Sequence, residues 1–268
     1  MTSRGAAGRT RPGGRLDVTV LGSGPASPQR DSGGSGILLS HAADRVLVDC
    51  GPGVATQLAR RLDPTRLTAV VVSHFHADHF LDIVPIRYAF AWSGAIDRRL
   101  RVIVPPGGTA RLEALAAVVS ERVSFFSDAF DIVEFDPAVP LTVGSLRIGF
   151  VAARHYIPAW SLEISVAGVR IVYTGDTAPS SHLASLARGA DLLLTEATIG
   201  SSDEDGPERG HLTLDEALEL VSEAGPDRAV LVHYPAGRRE EIVRRGAGMA
   251  VPVIAGRPGT RISIPTRE

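Results

Sequence analysis

Short apolar runs recur along the whole chain with amphipathic stretches between them, and that alternation restricts the fold more than any other feature. The runs "LDVTVLG" (Leu16–Gly22), "GILLS", "RVLVDCG", "TAVVVS", "LRVIVP", "SLRIGFVAA", "SLEISVAG", "VRIVYTG", "DLLLTEA", "AVLVHY" and "VPVIAG" are rich in Val, Ile and Leu. Gly, Pro, Asp or Ser bounds each of them, which is the pattern of short strands. Helical spacing marks "GVATQLARRL", "TARLEALAAVVSERV", "SSHLASLARG", "TLDEALELVSEAG" and "EEIVRRG". Thr213 and Glu216 form a capping box, and Gly225 followed by Pro226 supplies a stop. Strands interleaved with helices predict a layered α/β fold. No Gly/Ser/Pro-rich linker and no repeat period interrupts the pattern. Residues 15–268 therefore read as one domain, behind a tail, Met1–Gly14, expected to be disordered.

Composition narrows the classes further. With 268 residues the chain has length for a real core, and no apolar run approaches a membrane span. The N-terminal arginines and glycines have no apolar segment behind them, so a secretory signal is not expected. A single cysteine, Cys50, excludes an internal disulfide framework and fits a reducing cytoplasm, where it is expected to be a small core residue. The chain has no lysine, which excludes Schiff-base chemistry on that side chain, and its net charge is −2. That balance disfavours a long basic track for nucleic acid.

Three of the 8 histidines fall within "HFHADH", at His74, His76 and His79, with Asp78 among them. The valine run before them ends a strand, so they sit on the turn leaving it, with "FLDIVPIRYAF" expected as a helix beyond. Imidazoles and a carboxylate suit a borderline divalent ion such as Zn²⁺, with Mn²⁺ or Fe²⁺ as alternatives. A tight turn can offer two imidazoles to one ion while the next Asp and His point towards another. His233 repeats the strand-end placement after "AVLV". Asp176 follows "VRIVYTG", where Gly175 permits a tight turn and the carboxylate can reach two ions. Asp49, at another strand end, is expected behind the ligands, because bound imidazoles need acceptors that fix their tautomer. His41 and His182 have no motif around them and read as surface residues.

The segments "VLVDCGPG", "HFHADH", "AARHYIPAW", "YTGDT" and "LVHY", in that order, resemble the metallo-β-lactamase-fold hydrolases. The resemblance covers nearly the whole chain after the tail and implies a four-layer αββα sandwich with its site along one edge of two sheets. It further implies that His74, His76 and His155 hold one ion, that Asp78, His79 and His233 hold a second, and that Asp176 bridges them. His155 is placed chiefly by this likeness. A hydroxide between two such ions forms readily, since metal binding lowers the pKa of water towards about 7. Solvent is then the nucleophile.

"LLLTEATIG" and "RGHLTLDEA" resemble the ribonuclease Z branch, which implies that His211 faces the phosphate and serves the leaving oxygen while Glu196 orients it. Asp176 departs from the β-lactamases of this fold, which typically carry cysteine there. The chain also departs from ribonuclease Z. Between His155 and Asp176 there is room for two short strands and not for the long arm that clamps transfer RNA. The loop "SSDEDGPERG" is acidic and sits ahead of His211, which disfavours a long polyanion. A small or cyclic nucleotide phosphodiester is therefore the expected substrate, with Tyr88, Trp92, Tyr156 and Trp160 as candidate walls for a base. The alternatives are a thioester or lactone hydrolase of the same fold, an arm-less transfer-RNA 3′-end endonuclease, and a non-catalytic binding module, which has no need of seven intact ligands. A homodimer is what relatives suggest.

Overall fold

The computed structural model describes residues 14–93 and 98–267. The expected tail lies outside the described residues except for Gly14, whose carbonyl accepts from the Thr266 N–H at 2.9 Å.

Two seven-stranded sheets carry the fold. The first runs β14 (Arg261–Pro265), β1 (Arg15–Gly22), β2 (Gly36–His41), β3 (Asp44–Val48), β4 (Ala69–Val71), β5 (Leu100–Val104), β6 (Phe130–Glu134). The second runs β13 (Val253–Ala255), β12 (Ala229–Val232), β11 (Leu192–Glu196), β10 (Val169–Tyr173), β9 (Trp160–Val166), β8 (Leu146–Ala152), β7 (Leu141–Val143). Strands β3 to β6 pair in parallel, as do β10 to β13, and the remaining pairs are antiparallel. The parallel crossovers contain α1 (Val54–Ala59), α2 (Ala77–Phe80), α3 (Ile83–Trp92) and α4 (Gly108–Val119) in one half. In the other half they contain α5 (Ser181–Ala187), α6 (Leu214–Ala224) and α7 (Arg239–Gly246). All eleven sequence runs are strands here, and the Thr213–Glu216 capping box is present at α6 with Gly225 in the left-handed conformation after it.

Successive side chains of a strand point to opposite faces, and that alternation builds four layers. Ala69 and Val71 of β4 face the core between the sheets, where Leu192, Leu194, Val230 and Val232 meet them from β11 and β12. Val70 and Val72 point the other way and pack with Val54, Leu58, Ile83, Ile86 and Leu112 of α1, α3 and α4. On the second sheet, Leu193 and Leu231 pack outward against α5, α6 and α7. Because both faces are covered, these strands read as continuous apolar runs. Helices outside and sheets inside give the αββα sandwich.

Parallel strands within one sheet direct all their carboxyl ends to one edge, and the loops leaving those ends form a cleft. Asp49 leaves β3, Ser73 to His76 leave β4, Asp176 leaves β10, Glu196 ends β11 and His233 leaves β12. His155 follows β8, which runs in the same direction as β10 through two antiparallel pairings. Between them β9 and β10 form a hairpin turning at Ala167 and Gly168, both at positive φ, so the segment holds two strands and no arm.

Chain packing holds the His74–His79 turn firmly. The Asp78 carbonyl accepts from the Ser35 N–H at 2.8 Å, and the His79 carbonyl from the Cys50 N–H at 2.6 Å. A Cβ on Gly51 would meet the Asp78 carbonyl oxygen at 1.7 Å, so only glycine lets the "DCGPG" loop approach this closely. Gly51→Ala must displace the turn at a cost of about 1–3 kcal/mol, lowering Tm by roughly 2–10 °C for a chain of this size. Thermal denaturation followed by circular dichroism checks this, and an unchanged Tm contradicts the close packing.

Candidate metal centre

Six of the eight histidines line up behind one cleft. Asp176 lies at its centre and is 2% exposed. Its Oδ2 stands 3.3 Å from His79 Nε2, 3.4 Å from His233 Nε2, 3.7 Å from His74 Nε2 and 4.0 Å from His155 Nε2. Two groups share this carboxylate: His74, His76, His155 and Asp176 in one, and Asp78, His79, His233 and Asp176 in the other. Within each, the donor atoms all lie within 4.8 Å of one another. The seven side chains singled out in the sequence are therefore brought to one place, partitioned as the resemblance implies.

Each of four rings has an acceptor behind its Nδ1. Ser73 Oγ is 3.0 Å from His74, Asp49 Oδ2 is 2.8 Å from His79, the Gly210 carbonyl is 2.8 Å from His155 and Thr198 Oγ is 2.7 Å from His233. An Nδ1–H donated backwards leaves the Nε2 lone pair pointing into the cluster, the arrangement found behind metal-bound histidines. The ring of His76 has its Nδ1 2.9 Å from His155 Nε2. Asp49 supports this more broadly than expected: fully buried, it also accepts from Ser73 N and Oγ at 2.7 and 2.8 Å and from the Tyr173 hydroxyl at 2.9 Å.

Two buried atoms in this cluster lack any partner, His74 Nε2 and Asp176 Oδ1. Orphaned lone pairs in a dry interior are costly unless a cation or donor meets them. The donor set, imidazole and carboxylate oxygen on both sides of Asp176, fits two divalent ions. Burial holds His74 well below the usual imidazole range, the neutral form that can ligate. For Asp176 burial works against ionisation, but His233, His79 and His74 around it outweigh burial and hold its carboxyl well below the ordinary range. Burial likewise opposes a charge on His79, yet Asp176 and Asp49 push it well above its usual value. The backbone is strained at the same places: Asp49 and His233, neither of them glycine, adopt φ of 57° and 48°.

Residues 44–234 match the sequence family described as the beta-lactamase superfamily domain. The chain belongs to that superfamily. It is a metal-dependent hydrolase of the metallo-β-lactamase fold. A probable metallo-hydrolase of Bacillus subtilis, YhfI, is 29% identical over 220 residues, covering 82% of this chain and 87% of the relative. The crystal structure of YhfI superposes with a TM-score of 0.81 at 25% identity, covering 93% of this chain and 99% of that one. A ribonuclease Z of Methanothermobacter thermautotrophicus is 25% identical over 291 residues, covering 89% of this chain and 93% of the relative.

Next to the centre, His211 Nδ1 donates to the Glu196 carboxylate at 3.0 Å, and its ring lies 5.0 Å from that of His155. Burial disfavours imidazolium here, but Glu196, with Asp176 and Asp205 behind it, raises the His211 pKa to about 9. Glu196 is fully buried and held by the Thr177 N–H at 2.7 Å. Of the four candidate aromatic walls, only Tyr156 lines the cleft. Trp160 points into the inter-sheet core, and Tyr88 and Trp92 meet each other on α3 with their rings tilted by 44°. Alternation along β9 sends Trp160 inward, where Phe135 meets its ring. Cys50 is fully buried in the outer core, and His41 and His182 lie at the surface.

Sequence reasoning missed four supporting groups: Ser73, Tyr173, Thr198 and Asp205. Thr198 was within reach, as the last residue of the Glu-Ala-Thr segment. Its hydroxyl meets both Glu196 and His233 Nδ1, linking the His211–Glu196 pair to the cluster around Asp176. Asp205 accepts from the N–H groups of Gly210 and His211 at 2.7 and 2.9 Å and from the Tyr156 hydroxyl. The acidic loop is thus tied to the cleft wall.

Asp49→Asn keeps the side-chain shape and tolerates the positive φ, yet removes the anionic acceptor behind His79. Metal affinity is expected to fall about 10–100-fold, read by chelator competition, and an unchanged affinity contradicts the role given to Asp49.

Proposed function

We propose that this cleft hydrolyses a small phosphodiester, with nucleotide-sized and cyclic nucleotide esters as the substrate class. The observation that carries the reading is the His211–Glu196 pair beside Asp176. Glu196 accepts a hydrogen bond from His211 Nδ1–H, which leaves Nε2–H to donate to an oxygen in the cleft. Alkoxide is a poor leaving group and gains most from a positioned acid, whereas a thiolate leaves without one. That difference favours a phosphodiester over a thioester.

His74, His76 and His155 are proposed to hold one divalent ion, and Asp78, His79 and His233 another, with Asp176 shared. Zinc is the proposed metal, with manganese or iron as alternatives. When bound, such ions supply Lewis acidity towards the phosphoryl oxygens and a water acidic enough to attack at neutral pH. The chain's own residues do the rest. Asp49, Ser73, Gly210 and Thr198 fix the orientation of the imidazoles. Glu196 and Asp205 hold His211 from its side chain and its backbone. Tyr156, 46% exposed with its ring 5.6 Å from that of His211, offers a flat apolar wall for a base.

Scale supports a compact substrate. The cleft has a volume of ≈520 Å³, within the range of small-molecule sites. The segment between His155 and Asp176 holds the β9–β10 hairpin alone, with no length left for an arm that clamps transfer RNA, and acidic residues Asp203, Glu204 and Asp205 belong to the loop tied to the cleft wall. Residues 15–268 act in this reading as one hydrolase domain.

Purified protein is expected to cleave bis(p-nitrophenyl) phosphate and 3′,5′-cyclic AMP, and His76→Ala to abolish both activities. Turnover of thioesters or lactones without phosphodiester cleavage contradicts the reading. His211→Ala should lower kcat on cyclic AMP by about 10²–10⁴-fold, the range of general-acid catalysis. Its effect on bis(p-nitrophenyl) phosphate should be much smaller, because p-nitrophenolate departs without a proton. Equal losses on the two substrates rule out His211 as the acid.

A further inference from the structure

A second cavity, of ≈530 Å³, adjoins the catalytic cleft and has no part in the proposed reaction. Three guanidiniums line it: Arg60 at the end of α1, Arg239 at the start of α7 and Arg257 in the turn after β13. They come from widely separated parts of the chain. Among the described residues none of the three forms an ion pair, whereas Arg15, Arg122, Arg170, Arg209, Arg245, Arg261 and Arg267 each do. Asp31 is the single carboxylate on the lining, so the hollow keeps a positive excess. Like charges gathered around a concave surface repel one another and focus a field that draws in an anion.

The wall of this cavity is also the wall of the cleft. Pro25, Ala26 and Ser27 line the metal site, while Ser23, Asp31 and Ser32 of the same loop line the arginine cavity. Tyr234, the residue after His233, lies on the arginine side. Its N–H donates to the Ser23 carbonyl at 3.2 Å, and its hydroxyl and that of Ser23 donate to the Gly256 carbonyl at 2.7 and 2.9 Å. Gln29 fixes the loop from the other end, accepting from the Ala236 N–H at 2.9 Å. Gln57 stands beside Arg60, and with its Oε1 taken by Arg61 at 2.9 Å it has an amide N–H₂ to donate.

From this placement we infer that the arginine cavity is an anion subsite for a phosphate group. Planar guanidiniums pair with phosphate oxygens through two parallel hydrogen bonds, which a point charge cannot do. Three of them on one hollow suit a dianion better than a carboxylate. The phosphate has two possible sources, a second phosphate on the substrate held in the cleft or a separate phosphorylated small molecule. The site does not depend on the phosphodiesterase reading, since its residues are none of those proposed to act in the cleft.

Inorganic phosphate titrated calorimetrically into the metal-loaded protein tests the subsite. Wild type is expected to show a class of binding that survives Asp176→Ala and weakens at least tenfold in the triple variant Arg60→Gln, Arg239→Gln, Arg257→Gln. Asp31→Asn, which removes the one opposing charge, is expected to tighten it. All three arginines are exposed, so the triple variant should fold, and circular dichroism verifies that. An isotherm unchanged in the triple variant, or one abolished entirely by Asp176→Ala, overturns the proposal. Kinetics then separate the sources. A KM that rises in the triple variant for a 5′-phosphorylated dinucleotide but not for bis(p-nitrophenyl) phosphate assigns the cavity to the substrate. Lost phosphate affinity with both KM values unchanged assigns it to a separate ligand. Absence of any phosphodiester turnover would remove the proposed reaction and leave the phosphate isotherm to decide this site on its own.

Discussion

A fully buried carboxylate, Asp49, ties the two sheets together at the edge where the cleft forms. A carboxylate in that position is tolerated only if its lone pairs are filled. Ser73 and His79 fill them from the first sheet and its ligand turn, and Tyr173 from the second. The consequence reaches beyond Asp49 itself. The hydroxyl that Ser73 lends to Asp49 also stands behind His74, and Tyr173 precedes the turn that delivers Asp176. Placing these partners fixes the ligand turn of one sheet against that of the other, and the strained φ at Asp49 persists because the surrounding bonds over-determine it.

Around that anchor the fold concentrates polar chemistry in a region that is otherwise closely packed and apolar. Parallel strands send Asp49, His74, Asp176, Glu196 and His233 to one edge, and outer helices cover the opposite faces of the central strands. The price of a buried polar cluster is the set of orphaned atoms on His74 and Asp176. A chain that retains such atoms in its interior is built for a ligand that satisfies them.

Much of this was legible in the sequence, and the exceptions have physical causes. Central strands declared themselves because both faces are buried, which turns them into unbroken Val, Ile and Leu runs. The three strands not anticipated, β6, β7 and β14, are all at sheet edges. An edge strand has a solvated side, so "FDIVE" and "RISIP" mix charge and proline with their apolar residues and lose the signal. The turn "HFHADH" was readable because its histidines and aspartate are adjacent in sequence. His155 was not readable from its neighbours, since it leaves the second sheet and meets His74 and His76 only where that sheet faces the first. The same applies to Ser73 and Asp205, ordinary polar residues whose role exists only once the loops meet. Trp160, a candidate wall by its place beside His155, belongs to the core because the alternation of β9 sends it inward.

A crystal of the metal-loaded protein, with anomalous scattering collected at the absorption edge of the bound metal, tests whether Asp176 is shared between two ions. Two anomalous peaks are expected to flank Asp176, one among His74, His76 and His155 and one among Asp78, His79 and His233. A single peak, or peaks that leave Asp176 out, would contradict a centre built around that shared carboxylate.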